Sequence, residues 1–232
     1  MEDREIAENI KYARELERKY GYSIVPAATV YEAFSRRSRL ADSGFSEIKR
    51  GTYCKAINED ITHVVKLQAL KGASYAAWWG VSLAYVPHGW TTKVRWHRTI
   101  KSAQLDLREE FRDPIKRKSL SDVRFISTLH GERFLAETLE AMWSHATIEL
   151  TPWLDRAVDL KGVAAIAHEQ SVSDDWAYRT HYPNPRLVYA FTLARTGYRA
   201  DAERELKAYF DQDREDPQAK LRLEAALLEV LR

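Results

Sequence analysis

The polar and apolar positions of this chain follow a helical period at both ends and a period of two in the middle. Residues 3–20 set Ile6, Ile10, Ala13, Leu16 and Tyr20 on one stripe, the spacing of an amphipathic helix. Gly21 follows where a left-handed C-cap is usual. Thr29 with Glu32 three residues on forms a capping-box signature, which predicts a second helix ending at Ser43-Gly44.

From Phe45 the alternation changes to that of strands. A first strand is predicted over about 46–57, with Asn58-Glu59-Asp60 as a turn. A second sets Ile61, His63, Val65, Leu67 and Ala69 on one face and Thr62, Val64, Lys66 and Gln68 on the other. After a turn near Gly72, a third gathers Tyr75, Ala77, Trp79, Val81, Leu83 and Tyr85 on an apolar face. Its reverse face carries Ser74, Ala76, Trp78, Gly80 and Ser82. These two strands, spanning 60–87, predict the central hairpin of an antiparallel sheet. A fourth strand is expected over about 93–100, a fifth from Ala103 through Arg108, and a sixth over 123–127, with Lys116-Arg117-Lys118 in a loop.

After Gly131 the helical period returns, with Phe134, Leu135, Leu139, Met142, Trp143 and Ala146 on a wide stripe. Thr151-Pro152, Asn184-Pro185 and Asp216-Pro217 each pair a cap residue with proline at the first helical position, where no backbone N–H is needed. Helices are also expected over about 159–170 and 200–212. The prediction is an α+β protein: N-terminal helices with a mostly antiparallel five- to six-stranded sheet over 1–130, then an all-α region over 131–232. The second region either stands alone or shares one core with the sheet.

Composition narrows the classes. The net charge of +2 does not advertise nucleic-acid binding by the whole molecule. The charge is uneven, however: residues 61–125 hold 12 Lys/Arg against 5 Asp/Glu, and residues 126–232 hold 13 against 18. One cysteine, Cys54, excludes an internal disulfide framework. No apolar run approaches the roughly 18 residues that span a bilayer, and the charged N-terminus lacks a signal-peptide core, so a cytoplasmic location without membrane partners is expected.

Gly44-Phe45, Tyr53, Val65-x-Leu67-Gln68 and Tyr85-x-Pro87 carry a resemblance, over about residues 30–87, to an uncharacterised bacterial α+β family, a domain of unknown function. The resemblance implies an α+β domain and no particular activity; the helical tail is longer than that family's domain requires. Gly197, Asp201-Ala202, Leu206 and Tyr209 resemble one half of a tetratricopeptide-type repeat. With no further copy at a period of 34, an ordinary antiparallel helix pair is preferred.

Two surfaces are candidate sites. Lys93, Arg95 and His97, with Lys66 and Trp78, combine cations and an aromatic in the manner of a nucleic-acid groove; the alternative is a solvated outer face. The long segment 171–184 holds Trp176, Tyr178, Arg179, His181 and Tyr182, types enriched at protein interfaces; the alternative is a loop docked on its own helices. His145/Glu149 and Asp155/Asp159 have four-residue spacing but complete no metal motif. No metal or other cofactor and no catalytic residue is assigned. The leading expectation is a non-enzymatic bacterial interaction protein of immunity, antitoxin or defence-accessory type with a protein partner. The alternatives are a nucleic-acid-binding module and a metal-dependent hydrolase or nuclease.

Overall fold

The computed structural model describes residues 2–71, 73–111, 126–212 and 216–231. Two helices, α1 (Glu2–Tyr20) and α2 (Ala27–Ser38), precede strands β1 (Ser46–Lys49), β2 (Thr52–Ala56), β3 (Ile61–Ala69), β4 (Ser74–Leu83), β5 (Leu107–Glu110) and β6 (Ile126–Ser127). Six helices follow: α3 (Gly131–Arg156), α4 (Leu160–Ser171), α5 (Trp176–Arg179), α6 (Pro185–Arg195), α7 (Arg199–Gln212) and α8 (Pro217–Val230). The α+β class, the antiparallel sheet and the helical C-terminal half agree with the sequence pattern. Lys116-Arg117-Lys118 and residues 123–125 lie outside the described residues.

β4 is the centre of the sheet. It pairs with β3 from Ile61↔Leu83 to Ala69↔Tyr75. Its other edge pairs with β5 near the middle and with β6 at Ser74 and Tyr75. β2 and β1 extend the β3 side, giving the order β1-β2-β3-β4-β5. The turn before β3 is fixed locally: Asn58 Oδ1 accepts from the N–H groups of Asp60 and Ile61, each at 2.9 Å.

Alternation sorts the two faces. Val65, Leu67, Tyr75, Ala77 and Trp79 pack with Val30 and Phe34 of α2 and with Leu135, Leu139 and Met142 of α3. Ile61, Val81, Leu83 and Leu107 pack with Leu187, Val188 and Phe191 of α6 and with residues of α4, α7 and α8. Sheet and C-terminal helices therefore supply the same apolar clusters. The reverse face is covered more lightly, where Cys54 and Val64 meet Ala103.

Several sequence-based boundaries differ. The second helix is capped at Pro26 rather than by a Thr29 capping box and ends at Ser38, a separate turn over Leu40–Ser43 leading to Gly44, and β5 starts at Leu107 rather than at Ala103. The strand expected over 46–57 is a hairpin, because Gly51 turns the chain at a φ of 72°. A Cβ there would meet the Tyr31 ring at 2.4 Å and the Leu67 carbonyl at 2.7 Å. Residues 93–100 form no strand; their only bridge is Pro87↔Trp96. Trp96 turns toward Phe191, with ring centroids 6.3 Å apart. Pro152 starts no helix but lies within α3. Leu150 and Leu154 are buried on either side of it, and that packing carries the helix past a residue that cannot donate. At Asn184 and Asp216 the cap–proline rule holds, with cap side chains accepting from Arg186 and Gln218.

Gly80 lets β5 approach β4. A Cβ at this position would stand 1.9 Å from the Leu107 carbonyl oxygen and 2.9 Å from Arg108 Cα. Both are backbone atoms, so relief requires the strands to part. Gly80→Ala is expected to cost about 1–3 kcal/mol, the usual range for overpacking, read as a lower urea midpoint; an unchanged midpoint would show that β5 can retreat freely.

Candidate functional site

The reverse face of the sheet is built in cross-strand rows. Lys49, Thr52, Lys66, Trp78 and Glu110 are successive partners across β1, β2, β3, β4 and β5. In the next row Cys54, Val64, Gly80 and Arg108 follow one another. Because side chains alternate along a strand, both rows face away from the helices.

Residues between β4 and β5 fold back over this floor. Asp106 N donates to the Val81 carbonyl at 2.8 Å, and Gln104 N donates to Ser82 Oγ at 3.1 Å. Arg95 ties this segment together, its carbonyl accepting from His88 N at 2.8 Å and its N–H donating to the Gly89 carbonyl at 2.9 Å. The floor and this cover enclose a cavity of about 490 Å³, a size that suits a small organic ligand.

The lining is strongly one-sided. Lys49, Lys66 and Arg108 contribute three cations, His88, His97 and His181 three imidazoles, and Gln68 and Gln104 two amides. Among the described residues no Asp or Glu lines it. Burial, followed by the charges of Lys49 and Arg108, pushes the Lys66 ammonium below its usual range. Arg108 lies across Trp78, its guanidinium carbon 5.5 Å from the ring centroid. Glu110 is 3.6 Å from Arg108 and accepts from Trp78 Nε1 at 3.2 Å. Arg108 Nε is nevertheless buried without a hydrogen-bond partner.

Behind the cations lies an Asp–His pair. Asp106 has no solvent exposure. Its Oδ2 accepts from the Leu83 N–H at 2.6 Å, and its Oδ1 lies 2.5 Å from His88 Nε2, off the ideal hydrogen-bond direction. Burial raises the Asp106 carboxyl, while His88 and the Leu83 N–H pull it back. The His88 ring stacks on His97 with centroids 4.0 Å apart and planes 2° from parallel. His97 Nδ1 is buried without a partner. Burial, then the charges of His88 and Lys49, push His97 down to about 4.

The structure redistributes the sequence candidates. Lys66, Trp78 and His97 line the cavity, whereas Lys93 and Arg95 are exposed outside its lining. Of the aromatic segment, His181 and Tyr182 also line it. His181 Nε2 donates to the Asp106 carbonyl at 3.0 Å, Tyr182 stacks on Trp90 at 5.3 Å, and Tyr178 donates to Glu109 at 2.6 Å. Arg179 pairs with Asp174. Trp176 alone of the five has neither docked nor paired in this way and is 58% exposed.

His88 and Asp106 escaped the sequence reading. Asp106 falls within the stretch predicted as the fifth strand and His88 between Pro87 and Gly89, neither in a recognisable motif. The signal was a carboxylate between Leu105 and Leu107, in a stretch too apolar to leave it solvated. His63 is structural: it meets the Ala157 carbonyl at 3.0 Å, and burial lowers it. Among the described residues no group of three or more His, Cys, Asp or Glu is arranged to hold a metal ion, and no helix is long and apolar enough to cross a membrane. Comparison with family models, curated proteins and solved structures returns no match.

Burial and the Arg108 charge push His181 down to about 3, against about 6.5 for a free histidine. Between those values the unfolded chain binds a proton that the folded chain does not, so stability falls as pH falls through that window. His97 adds a contribution of the same sign above about 4. Urea midpoints at pH 7 and pH 4.5 should therefore differ less in His181→Gln than in the native chain. An equal difference would mean that His181 does not titrate with unfolding.

Proposed function

We propose that the protein binds single-stranded nucleic acid, taking one phosphate and its neighbouring base into the cavity. The observation that carries this reading is the lining itself, with three cations, three imidazoles and no carboxylate among its described residues. Burial, and after it the charges of Lys49 and Arg108, disfavour the charged form of Lys66, and an entering phosphate relieves that cost.

The remaining groups suit a nucleotide better than a simple anion. Trp78 offers part of a ring to the cavity and Tyr182 is 57% exposed at its edge; aromatic faces accept bases without regard to sequence. Gln68 and Gln104 bring amides that can pair with a base edge. Lys93, Arg95, Arg98 and Lys101 are exposed on the segment that carries His97, where neighbouring phosphates of a strand would pass. Arg98 is the least available of these, since it pairs with Glu229 at 2.8 Å.

Fluorescence anisotropy with a labelled single-stranded oligonucleotide tests the assignment. Lys66→Ala and Arg108→Ala should each weaken binding about tenfold or more, since a hydrogen bond to a charged group is worth about 1.5–3 kcal/mol. Lys93→Ala should have a smaller effect, and affinity should fall with salt. No binding at low salt, or equal affinity in all three variants, would overturn the reading.

A protein partner is supported by one observation, the exposed Trp176 on α5. In that reading Trp176→Ala removes a stoichiometric partner from the protein purified from its host and leaves oligonucleotide affinity unchanged. Retention of the partner by the variant would count against it.

A further inference from the structure

We propose that this cavity also cleaves single-stranded RNA by internal transfer of the phosphodiester, with His97 as the base and His88, held by Asp106, as the acid. The inference rests on the nucleic-acid reading above and adds a reaction to it.

The argument begins with the stacked imidazoles. Two rings 4.0 Å apart and parallel within 2° cannot both carry a proton without strong repulsion. A carboxylate touches only one of them: Asp106 Oδ1 is 2.5 Å from His88 Nε2. That contact sets His88 apart as the acid and His97 as the base. His97 is lowered first by burial and then by His88, which suits a ring that starts without a proton. Two like groups whose surroundings separate their protonation states are the usual basis for distinct acid and base roles.

Asp106 has the form of a positioning residue. It is wholly buried, its second oxygen is fixed by the Leu83 N–H, and it leaves His88 Nδ1 as the ring nitrogen available for a ligand. His88 and His97 both line the cavity with Lys66 and Arg108. A phosphate held by those cations thus meets two imidazoles in different surroundings.

The step balances without a further reactant. His97 takes the proton of the ribose 2′-hydroxyl as that oxygen bonds to the adjacent phosphorus. The bond from phosphorus to the 5′-oxygen breaks, its electron pair leaves with that oxygen, and His88 donates a proton to it. The products are a 2′,3′-cyclic phosphate and a 5′-hydroxyl, and exchange with water returns both rings to their starting states. Lys66 and Arg108 are placed to neutralise the charge that grows on the phosphoryl oxygens. DNA lacks the attacking hydroxyl and is bound without being cut.

The test uses the full chain, a single-stranded oligoribonucleotide and excess EDTA, with product ends identified by mass spectrometry. Cyclic phosphate and 5′-hydroxyl ends are expected, with no cleavage of the 2′-O-methyl strand although it binds. His97→Asn and His88→Asn should each slow cleavage of the bound strand at least about a hundredfold, read in single turnovers at saturating protein so that any change in affinity drops out. Asp106→Asn should move the alkaline limb of the pH–rate profile to lower pH, a shift that mere loss of folded protein would not produce. Binding of the 2′-O-methyl strand with no cleavage of RNA overturns the inference and leaves the binding reading standing; absence of both overturns both. Products ending in 5′-phosphate, or cleavage undiminished in the histidine variants, also overturn it.

Discussion

A carboxylate removed from water must be paired, because an isolated buried charge costs far more than a fold can supply. Asp106 meets that demand through the Leu83 N–H at the end of β4 and through His88. These contacts bind the residues between β4 and β5 onto the reverse face of the sheet. Without that attachment the face would be an open sheet surface carrying Lys66, Trp78 and Arg108. With it, the same side chains line a cavity. His181, donating to the Asp106 backbone carbonyl, draws the helical half of the chain to the same point.

The two faces of β4 divide the work of the protein. One packs against α2 and α3 at one end and α6 at the other, and supplies the apolar burial that stabilises the fold. The other holds charges close together, an arrangement that opposes folding and suits an anionic ligand. Gly80 sits where these demands meet, since its missing Cβ lets β5 bring Arg108 beside Trp78. A scaffold this heavily packed can carry such a cluster without losing its shape.

Much of the architecture was legible because strand alternation has only two phases. Placing Trp79 and Val65 inward forces Trp78, Lys66 and Val64 outward, and the structure puts those residues on one floor. The cap–proline pairs at Asn184 and Asp216 were legible for a local reason, the first-turn N–H that needs no partner. The identical pattern at Thr151-Pro152 misled, because burial of Leu150 and Leu154 outweighs one missing hydrogen bond. Residues 93–100 misled similarly: their alternation is genuine, but Trp96 is taken up by a single bridge to Pro87 and by the Phe191 ring. The Asp106–His88 contact depends on a chain reversal of 18 positions that no local period encodes. Only the oddity of a carboxylate between two leucines hinted at it.

The site also explains why a nearly neutral molecule can attract a polyanion. Net charge governs long-range attraction, whereas affinity at close range follows the field inside the cleft. Here three cations share a cavity of about 490 Å³ with low-polarity walls built from Val64, Ala103 and Leu105. Partial burial weakens solvent screening of Lys66 and Arg108, so their fields add where a phosphate would lie. Helices α2, α3 and α6 pack on the apolar face of the sheet, opposite the rows that carry Lys66 and Arg108, so the cations of the cavity are held on the face that those helices leave open.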